Sequence, residues 1–381
     1  MRSITILNPK RLVFGNDCAL QFVEDFAALG HRRLFLVTSP PIVPLLTPLT
    51  EALRKRAVEV TVHDAIAAEP DVNTLSHALE AARKHDIDSV VGIGGGSALD
   101  VAKLVAALHR SDQTIHDAFG IGKLRSRSTY LACLPTTAGT GSEVSPNAIL
   151  LDPADQLKKG VVSPHLVPDG AYVDPLLTRT VPPGVTAATG MDALTHCIEA
   201  YANKFAHPVV DLYALEGIRR IARSLQRAVE NGEDLEARED LALGSLFGGL
   251  CLGPVNTAAV HALAYPLGGE FHVAHGLSNA VLLPYVMAFN LTAAPERYAE
   301  IALALGVERA GSPLETARGG VNKVRELNRA CGIPEKLSDL NVPEDAIDRM
   351  ARGALTVTRL LKNNLRELTL EDARSIYQQA F

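Results

Sequence analysis

The sequence predicts two domains, an α/β N-terminal domain with a parallel sheet and an all-α C-terminal domain. From the start to about residue 182, short runs rich in β-branched residues alternate with amphipathic helical stretches. This alternation is typical of a parallel sheet covered by helices. After the turn-rich segment Thr178–Gly184, "TRTVPPG", the hydrophobic periodicity is almost entirely helical. We therefore predict domains at residues 1–182 and 183–381.

The strands of the first domain are predicted where apolar, β-branched runs occur. In chain order these runs are Arg33–Ser39, Val58–Val62, a run from Ser89 and a run from Tyr130. Between the second and third runs, Asn73–His85 places Leu75, Leu79 and Ala82 on one helical face and its charges on another. The strand–helix order therefore repeats along the first domain.

A long apolar run in the second domain, Leu241–Gly269, contains no Lys, Arg, Asp or Glu. Its length would suit a membrane span, but its glycines, Pro254 and Asn256 would interrupt a lipid-facing helix. Small residues of this kind fit tightly packed, buried helices better. We therefore expect buried helices here, and no membrane partner.

Composition excludes some functional classes. The chain has 381 residues, 47% of them hydrophobic, and a net charge of −6, which does not favour a nucleic-acid partner. Its five cysteines are scattered and form no CxxC pair, which favours a reducing, cytoplasmic location. The start of the sequence, "MRSITILNPKRLVFG", lacks the apolar core of a signal peptide.

A glycine-rich turn follows the strand predicted from Ser89. It reads "GIGGGSALDVAK" and contains Gly94, Gly95 and Gly96, whose backbone N–H groups can approach a phosphate closely. Ser97 is the predicted N-cap of the next helix, and a helix N-terminus favours an anion. We predict a dinucleotide pyrophosphate site here; the alternative is a tight turn that holds no ligand.

A hydroxyl-rich loop, "LPTTAGTGSEVSPNA", follows the strand predicted from Tyr130. It carries Thr136, Thr137, Thr140 and Ser142. Open α/β sheets bind ligands at the carboxyl ends of their parallel strands, so this loop is a second candidate for cofactor contact. The alternative is an ordinary polar turn.

Metal-ligating residue types occur in the helical half. Asp192 and His196 are i and i+4 on a predicted helix, so they share one face. His261 opens a second helical stretch, and His275 is expected in a turn before Gly276. Three imidazoles and one carboxylate suit Fe²⁺ or Zn²⁺. The alternative is that each histidine is a core residue bonded to backbone.

These motifs together resemble the iron-containing (group III) alcohol dehydrogenase family. The matching segments run in the family's order: "GGGSALDVAK", "PTTAGTGSEV", "GMDALTHCIEAY" and "HALAYPLGGEFHVAHGLSNAVLLPYVMAFN". The resemblance implies a dinucleotide-binding α/β domain, a helical domain on the dehydroquinate-synthase-like scaffold, and a divalent metal in the cleft between them.

The resemblance also implies a set of site residues. Asp192, His196, His261 and His275 would be the metal ligands, and the turn Gly94–Ser97 would hold the pyrophosphate. Thr136, Thr137 and Thr140 would line the cofactor site, and Lys158 would lie nearby. We also predict that Ser39 and Asp100 bind the cofactor.

The chain departs from the family's usual pattern at three positions. Tyr265 stands where a second histidine often assists proton transfer, so Tyr265 or His272 is expected to take that catalytic role. Ala274 replaces a proline. Ser39 stands where NAD-preferring members carry an aspartate that repels a 2′-phosphate, so NADP is expected to be tolerated. Arg32 or Arg33 would add attraction; the alternative is that both precede the strand and are solvated at its far end.

The predicted function is a metal-dependent, NAD(P)-linked oxidoreductase that interconverts a small alcohol and its aldehyde or ketone. A maleylacetate-reductase-like enzyme, or an oxoacid or semialdehyde reductase, is the alternative on the same scaffold. A lyase on the dehydroquinate-synthase-like scaffold and a non-catalytic phosphate-binding protein are less consistent with the motifs. A homodimer or higher homo-oligomer is expected.

Overall fold

The structure is a computed structural model that describes residues 2–66, 69–154 and 157–381. Over these ranges the chain forms nine strands. They are β1 (Arg11–Phe14), β2 (Arg33–Val37), β3 (Glu59–His63), β4 (Ser89–Gly94), β5 (Gly120–Ile121), β6 (Tyr130–Pro135), β7 (Asn147–Asp152), β8 (Leu157–Val162) and β9 (Gly170–Val173).

The same ranges contain fifteen α-helices. The α/β half holds α1 (Cys18–Ala28), α2 (Val43–Lys55), α3 (Val72–Arg83), α4 (Gly96–Leu108) and α5 (Ile115–Ala118). The helical half holds α6 (Pro183–Tyr201), α7 (Pro208–Glu230), α8 (Leu235–Leu252), α9 (Ala259–Phe271), α10 (His275–Asn290), α11 (Pro295–Ala304), α12 (Pro313–Ala330), α13 (Ile347–Leu355), α14 (Thr358–Leu361) and α15 (Leu370–Ala380).

The main sheet has six strands in the order β1-β9-β6-β4-β2-β3, and all its pairs are parallel. Along β2, Phe35 and Val37 enter the core on one face, while Leu34 and Leu36 enter the core on the other. Strands buried on both faces read as continuous apolar runs. The predicted parallel α/β architecture with a helical second half is therefore confirmed.

The strand order of the main sheet reverses at one point, and such a point is where open α/β sheets commonly bind ligands. From β2 the chain moves to β3 at one edge, and it then returns to place β4 on the other side of β2. The strand order thus reverses between β2 and β4, and open α/β sheets bind nucleotides outside the carboxyl ends of the strands at such a point. The loops that follow β2, β4 and β6 meet at this edge.

The sequence reasoning missed a small second sheet of β5, β8 and β7. Strands β7 and β8 form an antiparallel pair whose mixed burial gives no long apolar run. It also missed β1, an edge strand with three of four residues exposed, and β9, which has only four residues. Short or exposed strands carry too weak a pattern to be recognised.

The apolar run Leu241–Gly269 forms most of α8 and α9. Its glycines allow close helix packing: a Cβ on Gly244 would lie 2.6 Å from a side-chain carbon of Ile221 on α7. One helical segment, His275–Ala293, is long and apolar enough to span a membrane, but 61% of it is buried inside the protein. That burial is typical of a core helix.

Contacts between residues divide the chain into two compact units. The α/β unit comprises residues 6–137 and 141–180, and the helical unit comprises residues 138–140 and 181–381 together with the start of the chain. The domain boundary predicted at residues 182 and 183 remains a proposal.

All five cysteines are buried free thiols. Burial raises the pKa of Cys133 and Cys197 to about 12, so these thiols stay protonated at neutral pH.

Candidate metal centre and cofactor loops

Helix α6 supplies the first two predicted ligands. Asp192 and His196 lie one turn apart on its buried side, with 2% and 4% of their surface exposed. His261 is the third residue of α9 and is equally buried. The prediction that His275 lies in a turn is wrong: it is the first residue of α10, where the first backbone N–H groups of a helix have no intrahelical partner.

The three imidazoles converge on one carboxylate oxygen. From Asp192 Oδ1, the Nε2 atoms of His261, His275 and His196 lie at 3.6, 3.7 and 3.9 Å. We call these four residues the ligand cluster. Ligand atoms of Asp192, His261 and His275 all lie within 4.8 Å of one another. Two ligands of one divalent cation lie roughly 3.0–3.4 Å apart, so small side-chain movements would accommodate an ion.

The charges of the cluster suit a cation. Burial would raise the pKa of Asp192, but the three imidazoles lower it well below its usual range, so the carboxylate is ionised. Burial lowers the pKa of His196, which keeps that imidazole neutral with a free lone pair. A neutral imidazole and an ionised carboxylate are the protonation states that ligate metals.

Glu199 is a residue of the candidate site that sequence reasoning missed. Its carboxylate accepts hydrogen bonds from the backbone N–H groups of Ala258, at 3.0 Å, and Val260, at 2.6 Å. It also lies 2.6 Å from Nδ1 of His261, so it directs the Nε2 of that ring toward Asp192. Its spacing of seven residues from Asp192 on the same helix was the available signal.

Burial alone would lower the pKa of His261, but the neighbouring carboxylates of Glu199 and Asp192 raise it to about 9. A cation at Nε2 would therefore displace a proton there.

Asn279 is a second residue that sequence reasoning missed. It is fully buried on α10, one turn after His275. Its side-chain Nδ2 donates to Asp192 Oδ1 at 2.7 Å and also lies 3.1 Å from His261 Nε2. Its spacing of four residues from His275 placed it on the face of α10 that carries that ligand.

The two predicted catalytic residues have different surroundings. The ring of Tyr265 lies 6.3 Å from the ring of His275, and its hydroxyl accepts a hydrogen bond from Arg359 at 3.3 Å. His272 ends α9 with a left-handed backbone, φ 54°, and is exposed. Of these two residues, Tyr265 is the one that adjoins the ligand cluster, through the ring of His275.

The glycine-rich turn joins β4 to α4, as the sequence predicts, but its cap differs. Gly95 occupies the N-cap position, α4 begins at Gly96, and Ser97 is the second helical residue rather than the cap. A glycine N-cap leaves the first N–H groups of α4 without a capping side chain. A Cβ added to Gly95 would lie 3.5 Å from Thr137 Oγ1, so there is room above this residue.

The hydroxyl-rich loop lies beside the glycine turn because β4 and β6 are neighbours. The N–H of Thr136 donates to the carbonyl of Gly94 at 2.9 Å. Within the part of the chain that the structure describes, the buried hydroxyl of Thr136 has no hydrogen-bond partner. Such a hydroxyl is a candidate for ligand contact. Thr140 belongs to the helical unit.

Asp100 and Lys158 have protein partners. Asp100 accepts hydrogen bonds from the hydroxyl of Ser142, at 2.5 Å, and the backbone N–H of Ile149, at 2.9 Å. Lys158 is buried on β8 and pairs with Glu69. Contact of either side chain with a cofactor remains a prediction.

Ser39 follows the carboxyl end of β2, at the edge of the sheet where the glycine turn and the hydroxyl-rich loop lie. The suggested attraction of Arg32 or Arg33 for a 2′-phosphate is wrong. Arg33 begins the strand and bonds to the carbonyl of Asp86 at 2.6 Å, while Arg32 bonds to the carbonyl of Arg56 at 3.2 Å. Both arginines lie at the opposite end of β2 from Ser39, a strand length away.

A parallel α/β unit with a glycine turn at its switch point, and a helical unit with a buried carboxylate–imidazole cluster, are typical of metal-assisted, nicotinamide-linked oxidoreductases. Comparison with known proteins agrees with this class. Residues 9–175 match the family described as "Iron-containing alcohol dehydrogenase", and residues 186–381 match "Fe-containing alcohol dehydrogenase family, C-terminal".

Similar proteins cover the whole chain. A long-chain-alcohol dehydrogenase of Geobacillus thermodenitrificans is 42% identical over 95% of this chain and 92% of its own. The crystal structure of a 1,3-propanediol oxidoreductase superposes with a TM-score of 0.96 at 35% identity over 100% of both chains. That of sulfoacetaldehyde reductase from Bifidobacterium kashiwanohense, in complex with NAD⁺, gives 0.90 at 30% identity over 100% of this chain and 99% of its own.

The chain therefore belongs to the iron-containing alcohol dehydrogenase family. It is an oxidoreductase that interconverts an alcohol and its carbonyl compound with a nicotinamide cofactor, and its family implies a divalent metal.

Proposed function

We propose that the enzyme interconverts a small alcohol and its aldehyde or ketone at a divalent cation, Fe²⁺ or Zn²⁺, held by Asp192, His196, His261 and His275. The observation that carries this proposal is the convergence of three imidazole Nε2 atoms on Asp192 Oδ1 at 3.6–3.9 Å. When bound, the cation supplies Lewis acidity toward the substrate oxygen, and the nicotinamide supplies hydride transfer.

The chain's own residues position these groups. Glu199 fixes the orientation of the His261 ring, which keeps Nε2 directed at the cation. The N–H groups at the start of α4 bind the pyrophosphate, with Gly95 leaving space for it. Thr136 and Thr137 belong to the neighbouring hydroxyl-rich loop, and the hydroxyl of Thr136, which has no partner among the described residues, is available to the cofactor. Tyr265, rather than His272, is the proton-transfer candidate.

The substrate class follows from the relatives and from one side chain. The relatives named above are named for long-chain alcohols, 1,3-propanediol and sulfoacetaldehyde, which supports an alcohol or its aldehyde as the substrate. The half-buried Arg359 beside Tyr265 favours a second candidate, an aldehyde or oxoacid that also carries an anionic group. The Arg359 guanidinium would recognise that group.

The activity test follows absorbance at 340 nm for a panel of alcohols with NAD⁺ or NADP⁺, and for aldehydes, semialdehydes and oxoacids with the reduced cofactors. We expect turnover of neutral alcohols and aldehydes. A strong preference for semialdehydes or oxoacids would establish the second candidate. No turnover of any compound by the metal-loaded enzyme would contradict both.

Metal analysis tests the ligands separately. His261→Ala and His275→Ala should lose bound ion, because each removes one ligand from a set of four. His207→Ala is the matched control, since His207 is a buried histidine that accepts from the N–H of Val209 at the start of α7. Full metal occupancy in both ligand variants would contradict the assignment.

Cofactor choice is proposed to depend on position 39. Ser39 carries no charge, so a 2′-phosphate is not repelled, and the enzyme should accept NADP as well as NAD. Ser39→Asp should shift the ratio of kcat/KM values toward NAD by roughly tenfold, since one unfavourable charge contact is worth about 1–3 kcal/mol. A wild type that already rejects NADP by orders of magnitude would show that another residue sets the choice.

We also propose a cytoplasmic homodimer. Five buried, unpaired thiols support a reducing compartment. Sedimentation of the purified enzyme tests the dimer.

A further inference from the structure

The side-chain amide of Asn279 lies among the atoms that face the proposed cation. Its Nδ2 is 2.7 Å from Asp192 Oδ1, 3.1 Å from His261 Nε2 and 3.3 Å from His275 Nε2. One NH₂ group therefore approaches the ligand atoms of three of the four residues in the ligand cluster. Asn279 itself has no exposed surface.

The orientation of this amide is dictated by its neighbours. Asp192 presents a carboxylate oxygen, which only accepts hydrogen bonds, so the amide must face it with Nδ2 rather than Oδ1. The carbonyl oxygen Oδ1 points away and is buried with no hydrogen-bond partner within the described ranges of the chain. The orientation that brings the Nδ2 donor to the ligand cluster therefore leaves the buried Oδ1 acceptor without a hydrogen bond.

Like a cation, an amide NH₂ places positive charge next to the ligand oxygen and nitrogen atoms, although its partial charge makes the attraction weaker. One of its protons is donated to Asp192, and the other can be donated to a lone pair of His275 Nε2. A hydrogen bond to a buried carboxylate is among the stronger ones in proteins, because an unpaired charge there is costly. The amide and a cation would compete for the same oxygen and nitrogen atoms.

We propose that Asn279 is a positioning residue of the metal centre: its amide group holds the ligand cluster together and gives up that place when a cation binds. This inference rests on the proposed metal ligands. It predicts that Asn279 stabilises the metal-free protein more than the metal-loaded protein, and that it lowers the apparent affinity for the cation.

The experiment uses the full-length enzyme with Zn²⁺ as the probe, because Zn²⁺ is not oxidised. Wild type and Asn279→Ala are stripped with a chelator, and their melting temperatures are measured with and without Zn²⁺. The Zn²⁺ dissociation constants are measured by chelator competition. The matched control is Asn290→Ala, which removes another buried amide of α10, one that donates to Asn364 at 2.8 Å.

For Asn279→Ala we expect the metal-free melting temperature to fall by about 2–4 °C and the zinc-loaded value to change little. The Zn²⁺ dissociation constant should then decrease by roughly tenfold, since the competitor is lost. Asn290→Ala should lower both melting temperatures alike and leave the dissociation constant unchanged, because its hydrogen bond is present with or without the cation.

Two results would overturn the inference. A rise in the Zn²⁺ dissociation constant of Asn279→Ala would make Asn279 a support or a ligand of the bound ion, and equal losses in both states would make it an ordinary core amide. If Asn279→Ala does not fold without metal, Asn279→Ser is measured instead, because it keeps a hydroxyl donor. Its Zn²⁺ dissociation constant should lie below the wild-type value, and a wild-type value or higher overturns the inference. Failure of the ligand assignment differs from these, because Zn²⁺ would then not raise the melting temperature of the wild type.

Discussion

A buried lysine connects the hydroxyl-rich loop to the helix that follows the glycine turn. Lys103 on α4 has no exposed surface, and its ammonium group donates to the carbonyls of Ser145, at 2.9 Å, and Asn147, at 2.8 Å. Glu143, from the same hydroxyl-rich loop, is only 2% exposed. Burial raises the pKa of Glu143 to about 7, although the nearby charge of Lys103 opposes this.

The raised pKa of Glu143 makes a prediction about stability and pH. Because the folded-state pKa of about 7 lies above the usual 4.5, the folded protein holds this proton more tightly than the unfolded chain does. Ionisation therefore costs stability as the pH rises, and the cost is complete above pH 7. Glu143→Gln should gain stability over the wild type at pH 8, by about 1–3 kcal/mol, and much less at pH 5.

Urea unfolding at the two pH values measures this difference. Glu80→Gln is the control, since Glu80 is an exposed glutamate of α3 in the same unit. A Glu143→Gln difference from wild type that is equal at pH 5 and pH 8 would contradict the prediction.

Single residues of the candidate site were predictable when a polar, metal-ligating residue type stands in an apolar stretch of the sequence. The sequence singled out the histidines because they stand in an apolar region. Glu199 and Asn279 were missed because a glutamate or an asparagine within a helix is ordinary in sequence. Their roles depend on which residues of other helices they meet, such as His261 for Glu199. That information lies in the packing of α6, α9 and α10, not in local spacing.

At the level of elements, the glycine turn between β4 and α4 contains two glycines with different roles. One is required for close packing, and the other leaves open space. A Cβ on Gly94 would lie 2.8 Å from the Cβ of Ala98, so Gly94 allows α4 to pack against its own strand. A Cβ on Gly95 would meet Thr137 only at ordinary contact distances, 3.5 Å and beyond. Gly95 is therefore not required by packing within the α/β unit.

We predict that Gly95→Ala keeps the wild-type melting temperature within about 1 °C but weakens NAD⁺ binding at least tenfold, because the methyl group intrudes on the pyrophosphate. Gly94→Ala should instead lower the melting temperature by several degrees through overpacking. Calorimetry of cofactor binding and thermal melting check both variants. Unchanged NAD⁺ affinity in a stable Gly95→Ala variant would contradict the prediction that the pyrophosphate binds at this turn.

The elements that the sequence predicted well share a physical property. Strands β2, β4 and β6 are buried on both faces, so every position favours apolar, β-branched residues. Strand β1 and the antiparallel β7–β8 pair are exposed or mixed, so their sequences resemble loops. Helix ends are also weakly encoded. Ser97 was chosen as a cap by residue type, whereas the chain places Gly95 there.

At the scale of the whole chain, the contrast between its two halves was the most informative sequence feature. The change from strand–helix alternation to continuous helical periodicity near residue 182 predicts both the parallel sheet and the helical unit. Residues 138–140 belong to the helical unit although they lie within the sequence of the α/β unit. This assignment was not predictable, because it depends on contacts and not on chain order. The amino-acid composition of a three-residue segment does not indicate which unit the segment contacts.

The burial of all five cysteines has a practical consequence for studying this enzyme. We expect the folded natural chain to react little with a maleimide, because all five thiols are buried, so it can serve as a background without reactive cysteines. A cysteine placed at Leu212 on α7, where the side chain is 73% exposed, would be the site that takes a fluorophore or a spin label. A probe at this position would report on the surroundings of α7 without replacing any native residue of the core.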